Sequence, residues 1–347
     1  MLRVGIVGLG FMGMIHYLAY RKVRGAKVVA VCETDPKRLA GDWRSIKGNF
    51  GPKGQRMDLS HLARYSRVED LLADPHVDLV DVCLPPSLHA ATAAAASSAG
   101  KHVFCEKPIA LTPADAERMV RAAERAGKLL MIGHVLPFFP EYHFAYEAVC
   151  QGRYGRMLGG HFKRIISDPL WLPDFYNPAT TGGPMIDLHV HDAHFIRLLC
   201  GMPRQVQSAG RMRGEVVERF HTQFLFDDPD VVVTAASGVI DQQGRPFTHG
   251  FEIYLEQATL LYEHATIGKG LDANLPLTVL ENNGKVKRPK LGGGDPVNSF
   301  VREISEVVRA VEAGQPSPVL DGRLARDAVV LCQKQTESVR RGRAVKV

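Results

Sequence analysis

The chain has 347 residues, 45% hydrophobic and 23% charged, ordinary proportions for a folded protein and more length than one core usually organises. Its net charge of +6 is scattered, with no run of five like charges, which argues against a nucleic-acid partner and weakly favours anionic cofactors. No stretch of 18 apolar residues appears, so no membrane span is expected. The six cysteines (Cys32, Cys83, Cys105, Cys150, Cys200, Cys332) lack C-x-x-C spacing and read as free buried thiols of a reducing compartment. The chain opens on strand-like "LRVGIVGLG" rather than a leader, so a cytoplasmic location is expected.

The first element, "RVGIVGLGFMG", is an apolar strand running into Gly8, Gly10 and Gly13, with helical "MIHYLAYRKV" behind it. Gly8 permits the tight turn, Gly10 lets a pyrophosphate approach the backbone, and Gly13 lets helix and strand pack closely. The phosphates then meet the free N–H groups of a helix N-terminus. A lone G-x-G-x-x-G is weak, so its neighbours decide. A second strand, "AKVVAVCE", ends in Glu33, whose carboxylate suits a ribose diol and favours NAD. Asp35, Lys37 and Arg38 follow at once, and an arginine there keeps NADP possible. Residues 48–60, "GNFGPKGQRMDLS", read as a polar loop insertion.

Strand-like "VDLVDVCLPP" and "KHVFCEK" come next, separated by helical "LHAATAAAASSAG". The helix in "TPADAERMVRAAERAGK" is marked by Thr112 as N-cap, Pro113 at its first position and Gly127 past its end, before strand-like "LLMIGH". Alternating strands and helices predict a parallel, doubly wound sheet. Ligands of such sheets bind at strand C-ends, where "PPSLH" (85–89) and "EKP" (106–108) fall. Pro85 and Pro86 stop a strand in an extended turn where a nicotinamide could rest. Lys107, at the same edge, is either a surface lysine or a donor to a substrate hydroxyl.

"GLGFMG", the acid ending strand two, "PPSLH" and above all "CEKP" resemble the Gfo/Idh/MocA family of NAD(P)-dependent sugar and polyol oxidoreductases, over essentially the whole chain. The resemblance implies a Rossmann domain over 1–134 and an α+β substrate domain over 135–347 with a large, mostly antiparallel open sheet. It implies a homo-oligomer contact through that sheet. The cofactor-facing set would be Gly8, Gly10, Phe11, Met12, Gly13, Glu33, Arg38, Pro85, His89, Glu106 and Lys107, although His89 by itself reads as structural.

In the second half, Pro137 and Pro140 precede an amphipathic helix, and "GRMLGGHFKRII" reads as a strand. From 204 to 288 strand-like runs dominate: "RQVQSAGRMR", "ERFHTQFLF", "DVVVTAASGVI", "THGFEIYLEQ" and "ATLLYEHA". Helices near 296–313 and 321–341 close the chain.

The stretch "GGPMIDLHVHDAHF" (182–195) is chemically dense. As a strand it would align Asp187, His189 and His191 for a metal; as a helix it groups Asp187, His191 and His194. Ile186, Val190, Ala193, Ile196 and Leu199 recur at three and four, which is helical, and no metal is expected. The resemblance then makes Lys107, Asp187 and His191 the catalytic set, with His191 as base. His134, Trp171 and Tyr176 are weaker substrate candidates; Trp171 reads equally well as core. The expected reaction is hydride transfer between a secondary hydroxyl of a sugar, inositol or derivative and NAD(P). A redox-neutral NAD-dependent glycosidase, a metal-dependent amidohydrolase and a non-catalytic dinucleotide sensor are the alternatives.

Overall fold

The computed structural model describes residues 1–48, 50–268, 271–292 and 295–347; Asn49, inside the expected loop insertion, lies outside the described residues. The chain forms two compact units. The first comprises Met1–Ala110, Ala114–Phe138 and Gly293–Arg326, the second Leu111–Pro113, Phe139–Gly292 and Asp327–Val347.

The first unit is built on strands β1 (Leu2–Val7), β2 (Ala26–Cys32), β3 (Ala63–Tyr65), β4 (Leu79–Val82), β5 (His102–Glu106) and β6 (Leu130–Gly133). They form one sheet in the order β3-β2-β1-β4-β5-β6, parallel throughout. Val4, Ile6, Leu79, Val80, Val103 and Phe104 are fully buried, as strands covered on both faces require. The order reverses between β1 and β4, where such sheets open a crevice at their C-ends. Helices α1 (Phe11–Tyr20), α2 (Pro36–Leu39), α3 (Val68–Ala73), α4 (Pro86–Ser98) and α5 (Pro113–Ala126) alternate with the strands. The short β3 and α3 went unread in the sequence, because three half-exposed residues and six helical ones carry too little periodicity to count.

A domain boundary at 134/135 would place the helix over 297–313 in the second domain. The structure groups it with the first unit. Its buried stripe of Phe300, Ile304, Val307 and Val308 belongs to one helical face. Phe300 stacks on Phe50 of the loop insertion, ring centroids 5.5 Å apart, and lies 6.0 Å from the His16 ring of α1. Hydrophobic spacing shows that such a face must be covered, but not which distant element covers it.

In the second unit α6 (Pro140–Cys150) leads to β7 (Met157–Ser167), α7 (Gly183–Asp187) and α8 (Val190–Cys200). Strands β8 (Gln205–Arg213), β9 (Val216–Leu225), β10 (Val232–Ile240), β11 (Phe247–Leu255), β12 (Ala258–Ile267), β13 (Leu271–Glu281), β14 (Val286–Lys287) and β15 (Val345–Lys346) complete a nine-stranded sheet. Its order is β14-β13-β12-β11-β7-β10-β9-β8-β15, antiparallel except for the β7–β10 pair. Tyr142 of α6 and Phe195 of α8 meet edge to face, and they pack on Phe251 of β11 and Phe162 of β7. One face of the sheet is thereby covered by helices. The last helices are α9 (Val297–Ala313) and α10 (Gly322–Arg341). Among the described residues no helix is long and apolar enough to cross a membrane.

All six cysteines are free, but only Cys32, Cys83, Cys105 and Cys332 are buried; Cys200 is partly exposed and Cys150 is exposed. The expectation of uniformly buried thiols is corrected there: Cys150 is the last residue of α6, where the helix meets solvent.

Candidate active site

The glycine turn between β1 and α1 has the form that an anion needs. Gly8 has φ +95°, and a Cβ there would fall 2.6 Å from the Cys83 carbonyl oxygen. A Cβ on Gly13 would lie 2.0 Å from the Gly8 carbonyl oxygen, so helix and turn touch backbone to backbone. Above Gly10 the space is open: a Cβ would meet nothing within 4 Å. Phe11, Met12 and Gly13 open the helix, so their N–H groups precede the first helical bond, which Met14 donates to Gly10 at 3.0 Å. Close backbone contact below and open space above suit a pyrophosphate at a helix N-terminus. The side chain of Phe11 turns aside, edge-on to Phe50 at 4.8 Å.

Glu33 follows the last residue of β2. Its Oε2 accepts the Leu9 N–H at 2.8 Å and its Oε1 accepts the Asp35 N–H at 3.0 Å, tying it to the glycine turn. Asp35 caps α2 by accepting the Lys37 and Arg38 N–H groups, and the Arg38 guanidinium lies 3.7 Å from the Asp35 carboxylate.

Beyond β4, Pro85 is extended (φ −57°, ψ 145°) and Pro86 starts α4. His89 is fully buried, with Nδ1 2.8 Å from the Pro108 carbonyl and Nε2 2.7 Å from the Leu84 carbonyl. Burial lowers its pKa, against the pull of those two carbonyls. With both nitrogens facing backbone carbonyls, it ties the turn after β4 to the turn after β5. Glu106 is buried at the end of β5, and its Oε2 accepts the Lys107 N–H at 3.1 Å. In the stretch 103–110 Lys107 alone is partly exposed. His134 is fully buried just after β6, its N–H donating to Ile132 at 2.7 Å.

In the second unit the dense segment is helical, as expected, but interrupted. Leu188 and His189 separate α7 from α8, and both N–H groups converge on the Pro184 carbonyl at 3.1 and 3.0 Å. Between Gly183 and Ile196 only Asp187 and His191 are partly exposed. His189 is buried, stands edge-on to Phe220 at 4.8 Å and faces Gln335 at 3.0 Å; burial lowers its pKa to about 4. Asp192 accepts from Arg164 of β7 at 2.6 and 3.2 Å, a buried two-point ion pair.

Trp171 is 70% exposed, so the core reading of that residue is corrected, while Phe175 nearby is buried beside Leu188 and Val239. Tyr176 is already engaged: its hydroxyl donates to Asp168 at 2.9 Å, and the Arg213 guanidinium lies 3.8 Å above its ring.

From one polar cluster of the first unit, sequence reading singled out Glu106 alone, as cofactor-facing. His16, Asp81, Cys83, Glu106 and Glu303 come from α1, β4 and the turn after it, β5 and α9, and only the fold brings these elements near one another.

Residues 2–134 match a family model described as an oxidoreductase family with an NAD-binding Rossmann fold, and residues 142–261 match the C-terminal domain of the same family. The chain is 25% identical to the myo-inositol 2-dehydrogenase of Thermotoga maritima, covering 100% of this chain and 98% of that protein. It is 28% identical to the 1,5-anhydro-D-fructose reductase of Ensifer adhaerens, over 91% of this chain and 90% of that one. Levoglucosan dehydrogenase, solved with NADH and levoglucosan, has the same fold: TM-score 0.80 at 21% identity, covering 100% and 99% of the two chains. With both domain models matched in order along a chain that carries the glycine cradle, it belongs to the Gfo/Idh/MocA family of NAD-dependent oxidoreductases.

Proposed function

We propose that this protein oxidises a secondary hydroxyl of a sugar, inositol or related polyol, or runs the reverse reduction, with Lys107, Asp187 and His191 as its reacting side chains. One observation supports these three: each is a polar side chain left partly exposed within a stretch that is otherwise buried, 103–110 for Lys107 and 183–196 for Asp187 and His191. The relatives named above, an inositol dehydrogenase and an anhydrosugar reductase, support the substrate class.

NAD, when bound, supplies the hydride acceptor. The protein's task is the proton. An imidazole can take a hydroxyl proton near neutral pH, which makes His191 the base. Asp187, the last residue of α7 and four positions before His191, orients that imidazole or holds a neighbouring hydroxyl. Lys107 donates a hydrogen bond to the reacting oxygen and stabilises charge developing there. Glu33 presents a carboxylate where NADP would need its 2′-phosphate accommodated, so NAD is the working cofactor. The exposed apolar side chains of the large sheet, Val232 at 54% and Val286 at 59% among them, support a homo-oligomer, to be read by light scattering.

The test is NADH formation across a panel of inositols, aldoses, anhydrosugars and glycosides. Net NADH with a polyol or sugar supports the proposal. Glycoside cleavage that requires NAD without net NADH would assign the redox-neutral reaction instead.

A further inference from the structure

One fully buried side chain of the first unit, His16 on α1, has no part in the reaction just described. Its Nδ1 lies 2.9 and 3.1 Å from the two carboxylate oxygens of Asp81 on β4. Its Nε2 lies 3.0 Å from Glu106 Oε1, close enough for an ion pair though off the hydrogen-bonding direction. The ring is stacked on Phe104 at 5.3 Å, and Cys83 Sγ sits 3.4 Å from Nδ1, so it has one orientation.

Burial opposes charge on this imidazole. The Asp81 carboxylate outweighs burial and holds its pKa well above the usual value. Glu303 of α9 is also fully buried, and neither carboxyl oxygen has a hydrogen-bond partner among the described residues. Burial, then the nearby Glu106, push its pKa well up. The cluster thus sets one imidazolium between two carboxylates. The donor atoms of His16, Asp81 and Cys83 lie within 4.8 Å of one another, a spacing a metal ion could bridge. Both ring nitrogens already face carboxylates, however, and burial keeps the Cys83 thiol protonated.

A buried carboxylate without a counter-charge either takes up a proton or turns away to find a partner. His16 therefore fixes how Glu106 points. The other oxygen of Glu106 accepts the Lys107 N–H at 3.1 Å. We propose that His16 is a positioning residue: acting through Glu106, it fixes the backbone from which Lys107 projects, and it does so from the helix whose first turn forms the glycine cradle. This rests on the role given to Lys107 above, but its first readout does not.

That readout is amide hydrogen exchange at Lys107 in the full-length protein, with His16→Gln. Exchange at Lys107 should quicken about tenfold or more while Phe104 and Cys105, within the preceding strand β5, keep their rates. Turnover should fall about 10–100-fold with KM for NAD and NADH affinity nearly unchanged, since misplacement costs rate before binding. Glu106→Gln provides a second variant. It keeps an oxygen for the amide but cannot form the ion pair, and the same selective quickening at Lys107 and the same fall in turnover are expected. Unchanged Lys107 exchange and unchanged kcat in either folded variant would overturn the proposal. So would quickening of all β5 amides together, which marks general loosening. Lys107→Ala separates the two readings: full turnover there removes the lysine from the reaction, whatever the exchange at position 107 shows.

Discussion

Replacing Gly10 and Gly13 by alanine, one at a time, separates the space left for a phosphate from the space needed by the fold. At Gly13 the new methyl would lie 2.0 Å from the Gly8 carbonyl oxygen, about 1 Å inside the closest contact real Cβ atoms make. That oxygen is backbone, so α1 must back away from the turn. Overpacking of this kind costs roughly 1–3 kcal/mol, sometimes more. At Gly10 the backbone (φ −77°, ψ −159°) accepts an L-residue and the methyl meets nothing within 4 Å. Gly10→Ala should therefore leave stability within about 0.5 kcal/mol of the parent. The same methyl occupies the space assigned to the pyrophosphate, so NADH affinity should fall at least about tenfold, roughly 1.4 kcal/mol. Thermal melts and NADH fluorescence titrations on the two variants read the two quantities separately. Gly13→Ala should lose both stability and binding, Gly10→Ala binding alone. A Gly10→Ala protein that binds NADH like the parent would refute the placement of the phosphates.

Other consequences can be checked as directly. Asp192→Ala leaves the buried Arg164 guanidinium without its partner and should cost about 3–5 kcal/mol in urea unfolding, while the apolar double variant Arg164→Met/Asp192→Leu should lose less. An equal loss in both would count against the pair's desolvation penalty. His189 is neutral in the folded state because burial lowers its pKa to about 4, whereas the unfolded chain takes up that proton near 6.5. The unfolded state therefore binds more protons in between: this contribution is complete above about pH 6.5 and falls by about 3 kcal/mol as pH drops toward 4. His189→Gln should flatten that part of the stability–pH curve, and parallel curves would contradict the assignment. NADH should bind at least about tenfold tighter than NADPH, with Glu33→Ser narrowing the ratio; equal affinities in the parent would remove Glu33 from cofactor choice.

What could be read from the sequence was whatever is local. The glycine turn was legible because a tight turn, an open approach and a backbone contact each leave their residue within six positions. The helical reading of 183–200 followed from apolar spacing, but the break at Leu188–His189 did not, since its cause is hydrogen bonding and not hydrophobic period. Helix α9 announced an apolar face and could not say that its neighbours lie in the first unit. The His16 cluster was invisible for the same reason: His16 and Asp81 are 65 residues apart, and only the parallel sheet order brings α1, β4 and β5 together. Trp171 shows the converse, a residue that composition would bury and the structure leaves in solvent.

In the proposed reaction a hydroxyl substrate gives up its hydride to NAD while His191 takes the proton. This is tested most directly by NADH formed in a single turnover with NAD and a polyol or sugar from the panel that the parent oxidises, by the parent and by His191→Asn matched for NADH affinity. A stoichiometric NADH burst is expected in the parent and a rate lower by at least about a hundredfold in His191→Asn, the size expected for loss of a general base. Equal bursts in the two proteins would contradict it.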